Sequence, residues 1–452
     1  MGKKAIIHEN ETINSINIDE SCLSRIKSEK GSPPVIGFKL DDNRCFFTKE
    51  FEYVESIEGE KGNYQTVYKS SYIVGAQWVN KAEQVPLVIH PKQSMKNLDY
   101  VKMLMTCLQG GMATESECFS HVYGIDIDGE RIETDLATTV LDPLLLCHFL
   151  CLVEKIVKRG LKRGYVLHNE NLKKCRGRID VFKNERRNVL LGRSDRVYCS
   201  FSNYEVNIPE NKVIKRALLT SKYIYSQLSL SNKRSLLPVL NRCLAAFDSV
   251  DDDIQPNEIR AFKANKLFFE YAEAVDLAKI ILRRSGLSSI EISNNKNLVP
   301  PFWVDMPMLF EYYLLFHLRE QFGDCVKYQD EWETGIGKFS WRPDYLFIDD
   351  DNPMIFDAKY IPFLDQEDRN EKLSAFVRQL SGYARIPEIR ERMGLEPDRE
   401  FSVPCVLIYA SNSKDAIKDF SFIELTEEGL ADYAIPDLYK FYLIPVNLPR
   451  IR

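Results

Sequence analysis

The chain has 452 residues, a formal net charge of −6 and a hydrophobic content of 44%. With a mean hydropathy of −0.28, this composition is typical of an ordinary globular protein with two or three domains. No apolar segment approaches the length of a transmembrane helix, and the start Met1-Gly-Lys-Lys4 lacks a signal-peptide core. We therefore expect a cytoplasmic protein without a membrane partner.

The 11 cysteines are scattered and include no Cys-x-x-Cys pair. The closest two, Cys147 and Cys151, lie in an apolar helical run and are interpreted as small core residues. We expect reduced thiols and no zinc site.

The N-terminal region, residues 1–95, is predicted to be a β-rich domain. Short apolar runs at 35–38, 45–47, 64–78 and 85–90 alternate with turn-forming clusters such as Lys30-Gly-Ser-Pro-Pro34. Residues 1–70 carry no recognisable motif.

The middle region, residues 96–297, is predicted to be mainly helical. A long apolar stretch at 136–161 ends in basic residues and glycines, which suit a helix terminus. A further helix opens near Pro209, and Lys212, Lys215 and Arg216 lie off its apolar stripe.

A basic tract runs from Lys155 to Arg196, with fourteen Lys and Arg residues against four Asp and Glu, and it includes a strand or loop at 171–181. Such a run is commonly just a solvated face. The alternative is a surface that contacts phosphates, because Lys and Arg replace the counterions condensed on DNA. The candidate DNA-binding residues are Lys173, Lys174, Arg176, Arg178, Lys212, Lys215 and Arg216.

The C-terminal region, residues 298–452, is predicted to be an α/β domain. A buried helix at 308–318 precedes strands at 345–348 and 354–356, which the polar cluster 349–353 joins as a hairpin. An amphipathic helix at 371–385 and a buried strand at 403–410 follow. The predicted order is helix, strand, strand, strand, helix, strand.

The hairpin brings together two carboxylates and an ammonium group. Asp344 and Asp357 flank its two strands, and Lys359 shares a face with Asp357 because side chains two apart on a strand point the same way. Mg²⁺ is held by one or two carboxylates with water and phosphate oxygens, and Lys359 is placed to assist an attacking water. The same residues also arise by chance in a chain with 28% charged residues.

Three polar residues on the flanking helices add to this set. Glu311 stands in an apolar run, where a carboxylate needs a partner or a metal, unless it lies solvated at the helix rim. Gln379 and Tyr383, four apart, share a helix face that either meets the substrate or faces solvent.

In this order, Glu311, Pro343-Asp344, Asp357-x-Lys359 and Gln379-x-x-x-Tyr383 resemble the PD-(D/E)xK nuclease superfamily and its RecB-like branch. The resemblance implies that Asp344 and Asp357 hold Mg²⁺, for which Mn²⁺ can substitute, and that Glu311 completes or orients the metal site. It also implies that Lys359 assists the water and that Gln379 and Tyr383 support the substrate.

Four segments resemble the McrC family: 74–92, 160–180, 211–218 and the C-terminal region. McrC-like proteins are the nuclease subunits of McrBC-type or LlaJI-type restriction systems. The resemblance implies a partner, an McrB-like AAA+ GTPase hexamer, whose NTPase activity the N-terminal region stimulates, and double-stranded DNA as substrate. The chain itself has no Gly-x-x-x-x-Gly-Lys-Ser/Thr phosphate loop.

Two alternatives remain open on sequence alone. The chain could be a non-catalytic adaptor between DNA and an AAA+ ring, or a RecB-like repair nuclease. With the nuclease motif present, a phosphate-contacting role becomes the preferred interpretation of the basic tract.

Overall fold

The computed structural model describes residues 5–9, 11–13, 21, 23–26, 35–40, 44–54, 63–92, 98–109, 122–126, 129–136, 140–227, 233–254, 268–291, 298–328, 343–349, 352–360, 369–395, 402–414, 416–417 and 424–450. These residues form a mixed α+β protein, as the sequence predicts. Among these residues, no helix is both long and apolar enough to cross a bilayer.

The strands are β1 Ala5–His8, β2 Thr12–Ile13, β3 Ser24–Ile26, β4 Val35–Lys39, β5 Cys45–Val54, β6 Asn63–Ser70, β7 Ile73–Asn80, β8 Val85–His90, β9 Tyr123–Ile125, β10 Ile132–Glu133, β11 Gly164–Leu172, β12 Arg178–Ile179, β13 Val197–Glu205, β14 Leu298–Val299, β15 Phe302–Asp305, β16 Val326–Tyr328, β17 Tyr345–Phe347, β18 Met354–Lys359, β19 Cys405–Ala410 and β20 Phe441–Val446. The helices are α1 Tyr100–Gln109, α2 Asp142–Arg159, α3 Val181–Arg187, α4 Pro209–Gln227, α5 Lys233–Ala246, α6 Phe269–Glu291, α7 Met306–Phe322, α8 Arg369–Tyr383 and α9 Pro387–Arg392.

The chain divides into two compact units. The first unit comprises Met1–Leu141 and Asn297–Arg452, and the second comprises Asp142–Lys296. The sequence analysis predicts three consecutive segments at 1–95, 96–297 and 298–452. The observed division differs because β9 and β15, which belong to the later two segments, complete a sheet of the first. Only the predicted boundary at 297/298 lies close to a boundary between units.

The N-terminal part of the first unit is β-rich, as predicted, and contains two five-stranded sheets. One has the order β2-β6-β5-β4-β3 and the other the order β1-β8-β7-β15-β9. In the second, β15 lies antiparallel between β7 and β9, so a strand at 302–305 fills a place within the N-terminal sheet.

Two glycines allow the neighbouring strands to approach β15, one at its backbone and one at its tryptophan ring. Trp303 pairs with Gly75 on one side and with Gly124 on the other. A Cβ on Gly124 would stand 2.5 Å from Trp303 Nε1, and one on Gly75 would stand 2.2 Å from the backbone oxygen of Phe302. Only glycine fits at such close approaches.

Helix α7 begins at a cap that also anchors the sheet. The Asp305 side chain accepts a hydrogen bond from Met308 N at 3.1 Å and pairs with Arg44 at 2.9 Å. Pro307 occupies the first turn, where its missing N–H costs nothing. The helix buries residues on most of its circumference, which is typical of a helix enclosed by the core.

The C-terminal sheet has the order β16-β17-β18-β19-β20. Strands β17 and β18 form the predicted hairpin, whose turn is held by Asn352 N donating to Asp349 Oδ2 at 3.2 Å. Strands β19 and β20 continue the sheet in parallel with β18. Helices α8 and α9 cover one face through Leu380 and Ile389, which pack with Ile355, Cys405 and Phe441. The predicted order of elements is confirmed here, with α9 and β20 added.

The second unit combines helices α2, α4, α5 and α6 with a three-stranded antiparallel sheet of order β11-β13-β12. A buried polar network fixes the start of α4: Asn211 Nδ2 donates to the Lys162 and Val206 carbonyls, and Tyr271 O–H donates to Asn211 Oδ1 at 2.9 Å. The sequence predicts a strand or loop at 171–181, where β12 lies, but it does not predict a three-stranded sheet. Its strand β11 shows no fully buried residue, so it lacks the apolar signal of a core strand.

Candidate active site in the C-terminal sheet

The two aspartates meet across the β17–β18 hairpin. Asp344 directly precedes β17, where Tyr345 pairs with Phe356, so Asp344 lies beside the end of β18. Its Oδ2 accepts a hydrogen bond from Ala358 N at 2.7 Å. The structure therefore brings together the pair that the sequence predicts.

Lys359 places one positive charge beside these two carboxyl groups. Its Nζ lies 2.6 Å from Asp357 Oδ2, on the same face of β18. The ammonium group also stands 5.3 Å from the centre of the Phe376 ring on α8, within the range of a cation–π contact. Two independent contacts therefore hold the ammonium group at the carboxylates.

Glu311 enters the site from α7. The Tyr328 hydroxyl donates to Glu311 Oε2 at 3.3 Å, and the Tyr345 hydroxyl donates to its backbone oxygen at 2.7 Å. Glu311 is half-buried, and its hydrogen bond with Tyr328 favours the interpretation as a site residue over a solvated position at the helix rim.

Burial and mutual repulsion disturb every ionisable group of the cluster. Burial, together with the charge of Asp357, raises the pKa of Asp344 to about 7. Burial also raises the pKa of Asp357, although Lys359 and Asp344 oppose it, and burial and Asp344 raise the pKa of Glu311. For Lys359, burial lowers the pKa, but the Asp357, Asp344 and Glu311 carboxylates outweigh it and the net shift is upward.

This donor set fits a hard divalent cation. Like-charged carboxyl groups that resist ionisation together are stabilised by a cation placed between them. In the described part of the chain, no group of three or more His, Cys, Asp and Glu side chains could hold a metal ion. Mg²⁺ needs only one or two carboxylates with water and phosphate oxygens, which the Asp344–Asp357 pair can provide.

Gln379 and Tyr383 form a pair on α8. Gln379 Nε2 donates to the Tyr383 hydroxyl at 2.8 Å, and Tyr383 is 5% exposed. Burial raises the pKa of Tyr383, the Gln379 hydrogen bond lowers it, and the charges of Asp357 and Asp344 raise it further. The pair therefore lies within electrostatic reach of the carboxylates.

The candidate DNA-binding residues fall into two groups, both in the second unit. Lys173, Lys174, Arg176 and Arg178 are exposed on and before β12. Arg176 stacks on Phe201 at 4.4 Å and donates to Asn203 Oδ1 at 2.6 Å.

The second group is engaged within the fold. Lys212 pairs with Asp251 at 3.5 Å, Lys215 Nζ donates to the Phe247 carbonyl, and Arg216 donates to the Ile254 carbonyl. These contacts tie α4 to the segment after α5. The exposed group is therefore the better candidate surface for phosphates.

Sequence reasoning missed the residues that support the cluster. Tyr328 and Tyr345 contact Glu311, and Phe376 contacts Lys359. Tyr345 follows Asp344 directly, but nothing in its sequence position shows where its hydroxyl is bonded.

The family model described as "McrBC 5-methylcytosine restriction system component" matches residues 71–387. No curated protein matches the chain.

Among solved structures, the chain is similar to one titled as a refined half-complex from a tetradecameric assembly of Thermococcus gammatolerans McrB AAA+ hexamers with bound McrC. The identity is 17%, with 86% of this chain and 80% of that chain covered and a TM-score of 0.36. A cryo-EM structure of the Thermococcus gammatolerans McrBC complex matches at 15% identity, with coverages of 71% and 88% and a TM-score of 0.30.

Proposed function

The chain belongs to the McrBC family of 5-methylcytosine restriction system components, and from this premise we propose that it is a DNA endonuclease subunit of such a system, with a PD-(D/E)xK catalytic domain. The observation that carries the proposal is the buried cluster of Asp344, Asp357 and Lys359 on one sheet face. We place its action on foreign double-stranded DNA in the cytoplasm.

The reaction is hydrolysis of a phosphodiester bond. Water oxygen bonds to phosphorus, the bond from phosphorus to the leaving alcohol oxygen breaks, and a proton ends on that oxygen. Asp344 and Asp357 would hold Mg²⁺, which would supply charge that offsets the negative charge building on the phosphate. Mn²⁺ would take the same oxygen ligands.

The protein groups have separate roles in this proposal. Lys359 stays protonated beside the carboxylates and donates to the phosphate oxygens or orients the water. Glu311, hydrogen-bonded to Tyr328, would orient the water that attacks the phosphate. Gln379 and Tyr383 position the substrate strand from α8.

Family membership also supports a motor partner. We propose that the chain acts with an McrB-like AAA+ GTPase hexamer and stimulates its NTPase activity. The absence of a phosphate-loop motif in the sequence agrees with nucleotide hydrolysis residing in another chain. The exposed residues Lys173, Lys174, Arg176 and Arg178 would add sequence-independent contacts to DNA.

The test compares Asp357→Asn with Asp349→Asn in the complex of chain, partner, GTP, Mg²⁺ and DNA. Asp349 is a matched control because it lies in the hairpin turn, where it accepts a hydrogen bond from Asn352 N. We expect Asp357→Asn to abolish cleavage and Asp349→Asn to retain it. Equal cleavage by the two variants would refute the site.

A calorimetric titration with Mg²⁺ alone gives a readout that does not depend on activity. The wild type should bind one ion, and Asp344→Asn should weaken binding by about tenfold to a hundredfold. A chain that binds no divalent ion and cuts no DNA would instead be the non-catalytic adaptor.

A further inference from the structure

A second cavity opens on the C-terminal sheet away from the carboxylate cluster. It has a volume of about 340 Å³ and lies where α8 and α9 meet the entries to β19 and β20. This volume falls within the range of small-molecule sites. The function proposed above does not use it.

The lining is cationic and polar. Arg385, Arg390 and Lys440 contribute three positive charges, and Ser381 and Ser402 contribute hydroxyl groups. Among the described residues, no carboxylate lines the cavity. Glu427 pairs with Lys440 at 2.5 Å from outside the lining, and the formal charge stays positive when it is counted.

The cations are held in different ways. Arg390 is 6% exposed and donates to the Ala384 carbonyl at 3.3 Å, so its position is fixed by the fold. Arg385, by contrast, is exposed at the end of α8. A buried, fixed guanidinium beside an exposed one can receive an anion with little reorganisation.

The turn before β20 contributes Tyr439 and Lys440 to the cavity and has an uncommon backbone conformation. Asp437 and Lys440 have φ values of 70° and 54°, two of the three left-handed values among the described non-glycine residues. Between them Tyr439 is 79% exposed and also lines the cavity. Such conformations are typical of functional segments held by their surroundings.

From these observations we infer that the cavity binds a nucleotide unit, with its phosphate on Arg385, Arg390 and Lys440 and its base against the Tyr439 ring. Arginine forks match phosphate geometry, and an aromatic face stacks on any base. The chemistry is shared by a free nucleoside monophosphate and by one nucleotide of a single strand.

The position of the cavity relative to the carboxylate cluster is compatible with a free nucleoside monophosphate and with one nucleotide of a single strand. Lys359 lies over Phe376, and Ala384 at the cavity follows Phe376 by eight positions, about 12 Å along a helix. That distance corresponds to roughly three to four nucleotide steps of a stacked strand.

The test measures binding to the full chain by calorimetry in EDTA, so that its outcome does not depend on cleavage. The probes are inorganic phosphate, deoxyadenosine monophosphate and a single-stranded oligonucleotide. We expect saturable binding of deoxyadenosine monophosphate, weakened by about tenfold or more in Arg385→Glu. Arg378→Glu is the matched control, because Arg378 is an exposed arginine of α8 bonded only to Ser374 in its recorded contacts and outside the lining.

Tyr439→Ala separates the base contact from the phosphate contact. It should weaken deoxyadenosine monophosphate by several-fold and leave phosphate binding unchanged. Tighter binding of the oligonucleotide than of the mononucleotide, lost in Arg385→Glu, would identify a strand as the source, and the reverse order a free nucleotide. Absence of saturation up to about 10 mM for all three probes, or equal binding by the Arg385 and Arg378 variants, would overturn the inference.

Discussion

Asp344 combines a position in the candidate site with an unfavourable charge. Burial and the neighbouring carboxylate raise its pKa from 3.8 to about 7 in the folded chain. Between these two values the folded chain binds more protons than the unfolded chain, so stability falls as the pH rises through this window.

Asp344→Asn should therefore stabilise the metal-free chain at pH 8, by about 1–4 kcal/mol in the free energy of unfolding. The gain should become small near pH 4, where the wild-type carboxyl is protonated in the folded chain and about half protonated in the unfolded chain. Urea unfolding in EDTA at the two pH values measures it. A variant less stable than wild type at pH 8 would contradict the raised pKa.

Lys359 is expected to contribute to the reaction more than to metal binding. Lys359→Gln removes the one ammonium group recorded at the carboxylates and should slow cleavage by about 10²–10³-fold. Lys327→Gln, in β16 of the same sheet, is the control and should cut at the wild-type rate. Single-turnover cleavage with the partner gives both rates.

At the scale of single residues, the sequence identifies the candidate reacting groups but few of the side chains that hold them in place. Asp344, Asp357 and Lys359 could be found because strand periodicity and a hairpin turn place them together. The contacts of Tyr328 and Tyr345 with Glu311 could not, since a hydroxyl finds its acceptor only when distant elements pack.

Among the elements, β15 has close contacts with its neighbouring strands, and substitutions can measure what these contacts contribute to stability. Gly124→Val would drive a side chain into the Trp303 ring and should destabilise the chain by about 1–3 kcal/mol. In a Trp303→Ala background the same change should cost less, because the clash is gone. Equal costs in both backgrounds, measured by urea unfolding, would show that the ring is not the obstacle.

The two groups of basic residues in the second unit should behave differently. Replacing Lys173 and Lys174 with Gln should lower the slope of log K against log salt for double-stranded DNA by roughly 2. Replacing Lys215 and Arg216 should leave the slope unchanged and lower the thermal midpoint, because both bond to carbonyls within the fold. An unchanged slope in the first variant would place the DNA surface elsewhere.

Elements were predictable where their pattern is local. The C-terminal strands are short buried apolar runs between turns, and their order was correct. The β11–β13 ladder was missed because its exposed strand carries no core stripe. The insertion of β15 between β7 and β9 depends on pairing between residues far apart in sequence, which periodicity does not report.

At the scale of the whole molecule, we propose that DNA cleavage and GTP hydrolysis take place in two different chains. The isolated chain should cut DNA weakly or not at all, and addition of the AAA+ GTPase with GTP should produce cleavage. The Asp357→Asn chain should still stimulate GTP hydrolysis while cutting nothing, because Asp357 is buried within the C-terminal sheet. Strong cleavage by the chain alone would contradict this division of labour.

The discontinuous first unit has a consequence for the order in which the protein can mature. Its mixed sheet includes β15, and the β10–β14 pairing joins Glu133 to Leu298. The mixed sheet and this pairing therefore cannot form until the ribosome has synthesised about two thirds of the chain. The second unit is contiguous and can fold first, since domains form as they emerge. The sheet that carries Asp344 and Asp357 is completed later still, by β20, so the proposed nuclease site could not be complete in a truncated nascent chain.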